Sequence, residues 1–208
     1  MFSQASAFNQ DIGNWDVSSG IDFTGVSLSS ICLLNIFAHE LGKQRAILPS
    51  KKHFFQAVRK THSRCHGAYA VVALITGFGL LAFRDPRGIR PLVIGEKEGP
   101  TKKEYIIASE NASFSALGFK TLRDVNPGEA VFIDVEGNLH SNQCADNAQA
   151  TPCIFEYVYL ARPDSTLDEI SVYKARMRMG QKLAKKIVSL NPDHDIDVVI
   201  PIPDSSTT

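Results

Sequence analysis

The fold is decided by the stretch AYAVVALITGFGLLAFRDPRGIRPLVIG, residues 68–95. It contains three short apolar runs, and glycine or proline separates each run from the next. Runs of this length with such punctuation predict β-strands joined by turns. Three similar runs follow, EYIIASE at 104–110, AVFID at 130–134 and NLHS at 138–141. Together they predict an antiparallel sheet with helices packed on it.

Helical periodicity flanks this strand region on both sides. Before it, one helix is indicated by apolar residues at helical spacing, namely Leu33, Leu34, Phe37 and Leu41. A second is indicated, more weakly at its last member, by Phe54, Phe55, Val58 and His62. After it, residues 170–190 predict a long helix rich in Lys and Arg, and IDVVIPIPDSS at 196–206 predicts a buried strand running into a loop. A helix followed by an apolar strand suggests the start of a parallel α/β domain.

The composition is that of an ordinary globular protein. The 208 residues are 44% hydrophobic and carry 22 acidic and 22 basic side chains, which gives no reason to expect nucleic acid or an anionic membrane as a partner. The longest apolar stretches, 31–38 and 68–75, are too short to cross a bilayer. Because no Lys or Arg precedes Lys43, no secretory signal is expected, and we predict a cytoplasmic protein.

The cysteines and histidines do not form an evident metal site. A chain of this length can build its own core, so reduced thiols are expected rather than a disulfide framework for Cys32, Cys65, Cys144 and Cys153. None has the C-x2-C spacing of a zinc site. Among six histidines only His62 and His66 stand at helical spacing, and without a nearby carboxylate we expect surface positions for them.

The first 25 residues differ from the rest in character. The string MFSQASAFNQDIGNWDVSSGIDFTG, residues 1–25, resembles one repeat of a bacterial surface leucine-rich array. Such repeats bury their apolar faces only against neighbours, so roughly three are needed for stability. We therefore expect 1–25 to be a poorly ordered leader that makes few contacts, rather than a working adhesion module.

Arginine is concentrated in the turn of FRDPRGIRPLVIG, residues 83–95. Arg84, Arg87 and Arg90 surround Asp85 there. Three guanidinium groups could hold a phosphate, but they could equally satisfy neighbouring carboxylates and carbonyl groups. The structural interpretation is the one we favour from the turn alone.

Longer strings in the same region carry a family resemblance. Taken with GAYAVVAL at 67–74, ASE at 108–110 and LRDVNPGEA at 122–130, the charged turn resembles the second half of a class II glutamine amidotransferase domain. The strings CIFEYVYLARPDS at 153–165 and VVIPIPDSS at 198–206 resemble the domain junction and first phosphoribosyltransferase strand of the amidophosphoribosyltransferase family. Sugar-phosphate aminotransferases and asparagine synthetases have a related glutaminase half with a different continuation, and are the weaker alternatives.

The resemblance implies an α+β fold in several parts. After the leader at 1–25, residues 32–147 would form part of an N-terminal-nucleophile glutaminase, whose four layers are helices, sheet, sheet and helices. Residues 148–165 would be a linker, and 166–208 the first helix and strand of a phosphoribosyltransferase domain. Without the strands of the first glutaminase half, we expect strand edges and apolar faces to be uncovered at Val71, Val72, Leu74, Leu80 and Ile107.

The resemblance also implies a chemistry. In the family an N-terminal Cys attacks the side-chain amide of glutamine with its own α-amine as base, and the ammonia displaces pyrophosphate from phosphoribosyl pyrophosphate, in the first step of de novo purine biosynthesis. This sequence begins with Met1, Phe2 and Ser3, and a Ser-Asp pair of the family is replaced by Leu28 and Ser29. We therefore expect no catalytic residue in this chain and no glutamine hydrolysis by it alone.

The expected second site is a remnant. The residues that would begin the pyrophosphate-binding loop are Asp204, Ser205, Ser206 and Thr207. Four residues at the end of a sequence are not expected to bind phosphoribosyl pyrophosphate, or the magnesium that accompanies it in the family. An iron–sulfur cluster needs about four thiolates. We expect no cofactor or metal in this chain and interpret Cys153 as a small buried residue.

The function predicted is that of an amidophosphoribosyltransferase fragment, with glutamine and phosphoribosyl pyrophosphate as the substrates that the family implies. Two alternatives stay open. One is a non-catalytic subunit that associates with an intact homologue or with itself, and the other is a structural surface protein led by the repeat at 1–25.

Overall fold

The computed structural model describes residues 27–44, 49–202 and 206–207, with side chains from Leu33 onward. The predicted leader at 1–25 lies outside this range. The helices are α1 (Ser27–Gly42), α2 (Lys51–Arg64) and α3 (Val172–Leu190). The strands are β1 (Ala70–Ile75), β2 (Gly79–Arg84), β3 (Val93–Glu98), β4 (Lys103–Ala108), β5 (Lys120–Asp124), β6 (Glu129–Asp134), β7 (Leu139–Gln143), β8 (Thr166–Leu167) and β9 (Ile170–Ser171).

Helices α1 and α2 form the first layer, as the apolar spacing predicts. The first turn of α2 is closed by a capping box between Ser50 and His53, which binds backbone groups that the helix start leaves unpaired. The inward faces bring together Phe37 from α1 with Phe54 and Val58 from α2, all buried. Leu34 lies on the outer side of α1 and is exposed.

A four-stranded antiparallel sheet forms the second layer, in the order β1-β2-β6-β7. Alternate residues of a strand point to opposite faces, so Leu81, Phe83 and Phe132 pack on the helices. Ala82 and Val131, which are direct neighbours of these residues in sequence, point to the other face. The two central strands are thus buried on both sides.

A three-stranded antiparallel sheet in the order β4-β3-β5 forms the third layer. Leu92, Ile94 and Val125 pack against the inner face of the four-stranded sheet. Strand β5 was not predicted, because KTLRD is mostly polar and pairs along one edge only, with a register shift beside Gly95. Helices, sheet and sheet make three layers of the predicted four, and the α+β class is confirmed.

The region after residue 150 forms a third apolar cluster. A single π-helical turn (Glu156–Leu160), the β8–β9 hairpin and α3 bring together Tyr157, Ala161, Leu167 and Val172. Helix α3 begins two residues later than predicted, because Ile170–Ser171 pairs with β8. None of the helices described in this structure combines the length and the apolar character needed to span a bilayer.

The predicted buried strand at 196–206 is wrong for the residues that the structure describes. Between 196 and 202 the chain has no strand partner within the described ranges. Val199 is 84% exposed and Ile200 is 80% exposed. The apolar pattern is typical of an interior strand, but an interior strand is buried only when it has neighbours on both edges.

Strand β1 forms an unprotected edge of the four-stranded sheet. Its sequence, AVVALI, has no charged residue, whereas the other sheet edges described, β4, β5 and β7, carry charged or polar side chains. Val72 and Leu74 face the same side as their partners Ala82 and Leu80, where the second sheet does not reach them. Val72 is 49% exposed and Leu74 is 78% exposed, while Val71, Leu80 and Ile107 are half-buried. The expected uncovered apolar surface is therefore concentrated at Val72 and Leu74.

We expect the isolated chain to self-associate and to bind hydrophobic dyes through this edge, because a free apolar strand recruits other strands. Leu74→Lys should weaken self-association by about 2 kcal/mol, the burial energy of one leucine. Sedimentation velocity and dye fluorescence measure the effect. Leu117→Lys is the matched control, since Leu117 is also exposed but lies on a short 3₁₀ turn. A monomeric chain without dye binding would contradict the expectation.

Candidate functional site

The charged turn between β2 and β3 is organised by the carboxylate of Asp85, which is fully buried. That carboxylate accepts four backbone N–H groups, from Tyr69 at 3.3 Å, Arg87 at 2.9 Å, Ile89 at 3.1 Å and Arg90 at 3.0 Å. Gly88 completes the turn with a left-handed backbone at φ 60°, where a Cβ would lie 2.7 Å from Pro127. The turn is therefore fixed by its own residues.

Arg84, at the end of β2, is 2% exposed and uses all five of its N–H groups inside the protein. Three bonds go to backbone carbonyl groups, at Arg90 (2.7 Å), Val125 (2.8 Å) and Gly88 (2.8 Å). The other two form a bidentate pair with the carboxylate of Asp168, at 2.8 and 2.9 Å. Burial acts to lower the pKa of Arg84, but the bonds and charge of Asp168, together with the charges of Asp85 and Asp124, outweigh it and the pKa is raised.

The other two arginines of the turn also face protein groups. Arg90 donates to the buried carboxylate of Glu156 at 2.9 Å, and Arg87 donates to the side chain of Gln149 at 3.1 Å. The turn therefore binds the segment that follows the sheets. The structural interpretation of this arginine cluster is confirmed.

Two other strings singled out in the sequence contact each other. In ASE, the carboxylate of Glu110 accepts the Arg162 backbone N–H at 2.8 Å and the Ser165 hydroxyl at 2.6 Å, both from ARPDS. The side chain of Asn111 accepts the Thr166 backbone N–H at 3.0 Å. These motifs therefore join the β4 end to the start of the β8–β9 hairpin.

The sequence analysis missed the residue that completes this junction, Asp168. It lies in the β8–β9 turn with Glu169, and both have left-handed backbones, with φ of 47° and 64°. Such a two-residue turn is usually signalled by Asn-Gly or Asp-Gly. The Asp-Glu pair here gives no such signal, and Asp168 lies outside the motifs of the resemblance.

The described cysteines are not placed for nucleophilic chemistry. Cys65 and Cys144 are buried, and burial raises the pKa of Cys144 to about 11. Its Sγ donates to the Phe55 carbonyl at 3.5 Å. Cys153 is half-buried, rather than buried as predicted, because it lies in the irregular segment before the π turn. In the described ranges no three His, Cys, Asp or Glu side chains could hold a metal ion.

The predicted surface position is wrong for His62 and correct for His66. His62 is 6% exposed because it continues the inward face of α2, one turn beyond Val58. Its Nδ1 lies 2.7 Å from the Tyr69 hydroxyl, and its ring meets Phe83 edge-on. Burial lowers the pKa of His62 to about 4, with the charge of Arg59 acting in the same direction and the Gly128 backbone in the opposite one.

The predicted pyrophosphate loop is only partly described. Asp204 and Ser205 lie outside the described residues, while Ser206 and Thr207 are exposed. The backbone N–H of Ser206 donates to the Ile202 carbonyl at 3.3 Å, and its hydroxyl donates to the same carbonyl. Both described donors of Ser206 are thus bound within the chain. Whether this loop has any affinity for pyrophosphate stays a prediction.

Comparisons with known proteins agree on one resemblance, although no protein-family model matches the chain. An amidophosphoribosyltransferase of Pseudomonas aeruginosa is 54% identical over 190 residues, which are 91% of this chain and 38% of the relative. One of Escherichia coli is 54% identical over 84% of this chain and 35% of the relative. A solved glutamine phosphoribosylpyrophosphate amidotransferase from B. subtilis, complexed with ADP and GMP, is 31% identical over 84% of this chain and 39% of its own, with a TM-score of 0.60. The chain spans 35–38% of the length of these two curated relatives.

Thiol labelling should separate Cys153 from Cys144. At pH of about 7.5, a thiol with a pKa of about 11 is less than roughly 0.1% thiolate, and Cys144 is buried as well. Iodoacetamide should modify Cys153 at least about tenfold faster, as read by peptide mass spectrometry. Cys153→Ser identifies the fast-reacting peptide, and rapid labelling of Cys144 in the folded chain would contradict the assignment.

The free energy of unfolding should depend on pH through His62. Its pKa falls from 6.5 to about 4 on folding, so the unfolded chain binds the proton more tightly. Stability is therefore complete above pH 6.5 and decreases by up to roughly 3 kcal/mol as pH falls towards 4.

Chemical denaturation across this pH range tests the role of His62. His62→Gln should remove this part of the pH dependence, whereas the control His66→Gln, at an exposed position, should leave the profile as it is in the original chain. Equal profiles for the original chain and His62→Gln would show that His62 does not contribute.

Proposed function

This chain belongs to the amidophosphoribosyltransferase family, of which it matches one segment, and we propose that it acts as scaffold in that enzyme. Residues 32–147 would hold together the second half of the glutamine amidotransferase domain. Residues 148–171 would fix the junction to the phosphoribosyltransferase domain. The chain would thus serve the first step of de novo purine biosynthesis as part of that enzyme.

The observation that carries the proposal is that the promising chemical groups are already bound within the protein. The guanidinium of Arg84 has no N–H left for a ligand, and the carboxylate of Asp85 is filled by backbone donors. The buried thiol of Cys144 has a raised pKa. Groups arranged in this way fix the positions of strands and turns, and they favour a positioning role over a reactive one.

The layered architecture supports the same role. Two helices and two stacked sheets make three of the four layers of a helix-sheet-sheet-helix sandwich. The uncharged β1 edge has the composition of a strand with a neighbour on each side. We infer that the partner of this edge is a strand from the first half of the glutaminase domain.

Substrates and cofactors follow from the family. Glutamine and phosphoribosyl pyrophosphate are the substrates we propose for the assembled enzyme, and the cytoplasm is the compartment. Magnesium, which the family uses with phosphoribosyl pyrophosphate, is the metal we propose for the assembled enzyme.

A complementation assay tests the proposal. The chain would be co-expressed with the region of the Pseudomonas relative that contains the first half of its glutaminase domain. Ammonia release from glutamine should exceed that of either polypeptide alone by at least about a hundredfold, because only the pair holds both nucleophile and scaffold. The first control replaces the N-terminal cysteine of the supplied region by serine, which should abolish the activity.

Variants of this chain distinguish scaffold function from bystander binding. Leu74→Lys places a charge on the β1 edge and should reduce the complemented activity, whereas Leu117→Lys should not. Ammonia release by this chain alone would refute the assignment as scaffold. So would a co-purified complex that stays inactive while its β1 edge is covered.

A further inference from the structure

The β8–β9 hairpin, called here the junction hairpin (166–171), has an unusual turn. Asp168 and Glu169 both adopt left-handed backbones, a region that residues with a side chain rarely adopt and that favours glycine. Strained backbones of this kind persist only where surrounding contacts over-determine them. The contacts that do so here can be identified.

Two contacts hold the turn, and both involve Asp168. Its carboxylate receives the bidentate pair from Arg84 at 2.8 and 2.9 Å, with the guanidinium almost fully buried and the carboxylate partly exposed. Its backbone amide interacts with the carboxylate of Asp124, at the end of β5. The turn is thereby bound to β2 and to β5, and hence to both sheets.

The junction hairpin belongs to a larger structural unit, residues 156–190, called here the junction unit. Leu167 and Val172 share an apolar cluster with Tyr157 and Ala161 that is separate from both cores of the sheet stack. The side chain of Arg176 in α3 donates to the Tyr157 and Ala161 carbonyls at 2.8 Å each. The junction unit is therefore cohesive within itself.

The bonds between the junction unit and the sheets are polar. Two are ion pairs, Arg84–Asp168 and Arg90–Glu156, the latter at 2.9 Å. The others are the bonds that Glu110 accepts from the Arg162 backbone and the Ser165 hydroxyl, the Asn111 contact to the Thr166 backbone, and the Asp168 backbone contact to Asp124. A unit with its own apolar cluster, attached through polar contacts, can separate without exposing the main cores. Of these contacts, only those of Asp168 involve a residue of the strained turn.

We propose that the junction hairpin is a strained closure, in which the Arg84–Asp168 pair holds the junction unit against the sheets. When the pair breaks, the turn relaxes from its left-handed conformation and the junction unit opens as one body, while the sheets stay folded. To close, Asp168 must meet the Arg84 guanidinium, which three backbone carbonyl groups already orient. The closure goes beyond the scaffold function proposed above and is independent of it, because it follows from the contacts alone.

Hydrogen exchange on the full chain tests the closure. The reporters are the amides of Arg162 and Thr166, whose bonds cross from the junction unit to the side chains of Glu110 and Asn111, at 2.8 and 3.0 Å. Asp168→Asn keeps a residue that tolerates the left-handed backbone and removes the charge. It should speed exchange at both reporters by roughly tenfold to a hundredfold, the range for losing hydrogen bonds to a charged group, with the β2 and β6 amides unchanged.

Two further variants make the test decisive. Asp164→Asn removes a carboxylate whose pairing with Arg162 is exposed on both sides, and it should leave the reporters unchanged. Glu169→Gly relieves the left-handed strain without touching the ion pair, so it should slow exchange at the reporters, opposite to Asp168→Asn.

Three results would overturn the closure. The first is an unchanged reporter in Asp168→Asn, because the pair would then not hold the unit. The second is exchange that rises equally in β2 and β6, because the pair would then support the whole fold. The third is faster exchange at the reporters in Glu169→Gly, because the turn would then not be strained.

Discussion

A guanidinium group that leaves water must have all of its N–H groups bound, or the fold loses more energy than packing can return. Arg84 meets this requirement with groups from three different places in the chain, which are the charged turn, the Val125 loop and the junction hairpin. All of these groups must be in position before every N–H group of Arg84 is bound. Sheet stacking, turn shape and the placement of α3 therefore converge on one side chain.

The elements that could be predicted from the sequence are those whose burial produces a local apolar pattern. Strands β2 and β6 have apolar runs because both of their faces are covered, and the two-residue alternation divides those runs between two cores. Strand β5 was missed because a polar edge strand has no such pattern. The segment 196–202 was wrongly predicted as buried, because a local pattern shows what a strand is suited to and not which neighbours it has.

The candidate site was predictable as motifs but not as contacts. The strings FRDPRGIR, ASE and ARPDS were recognised separately, and the structure shows that they bind one junction. The Arg84–Asp168 pair joins residues far apart in sequence, and nothing near Asp168 indicates its partner. His62 was misassigned for a related reason. A histidine within an apolar helical face is compatible with the surface or the core until its partner, here the Tyr69 hydroxyl, is known.

The pairing of β2 with β6 has a consequence for synthesis of the chain. Strand β2 finds β1 at once through a tight hairpin, but its other neighbour, β6, begins about 50 residues later, which a ribosome takes roughly 3–10 s to translate. During that interval the edge of β2 that later pairs with β6 has no strand partner, and Arg84 lacks its bonds to Val125 and Asp168. The nascent chain therefore passes through a stage in which an apolar strand edge is open to pairing with other chains.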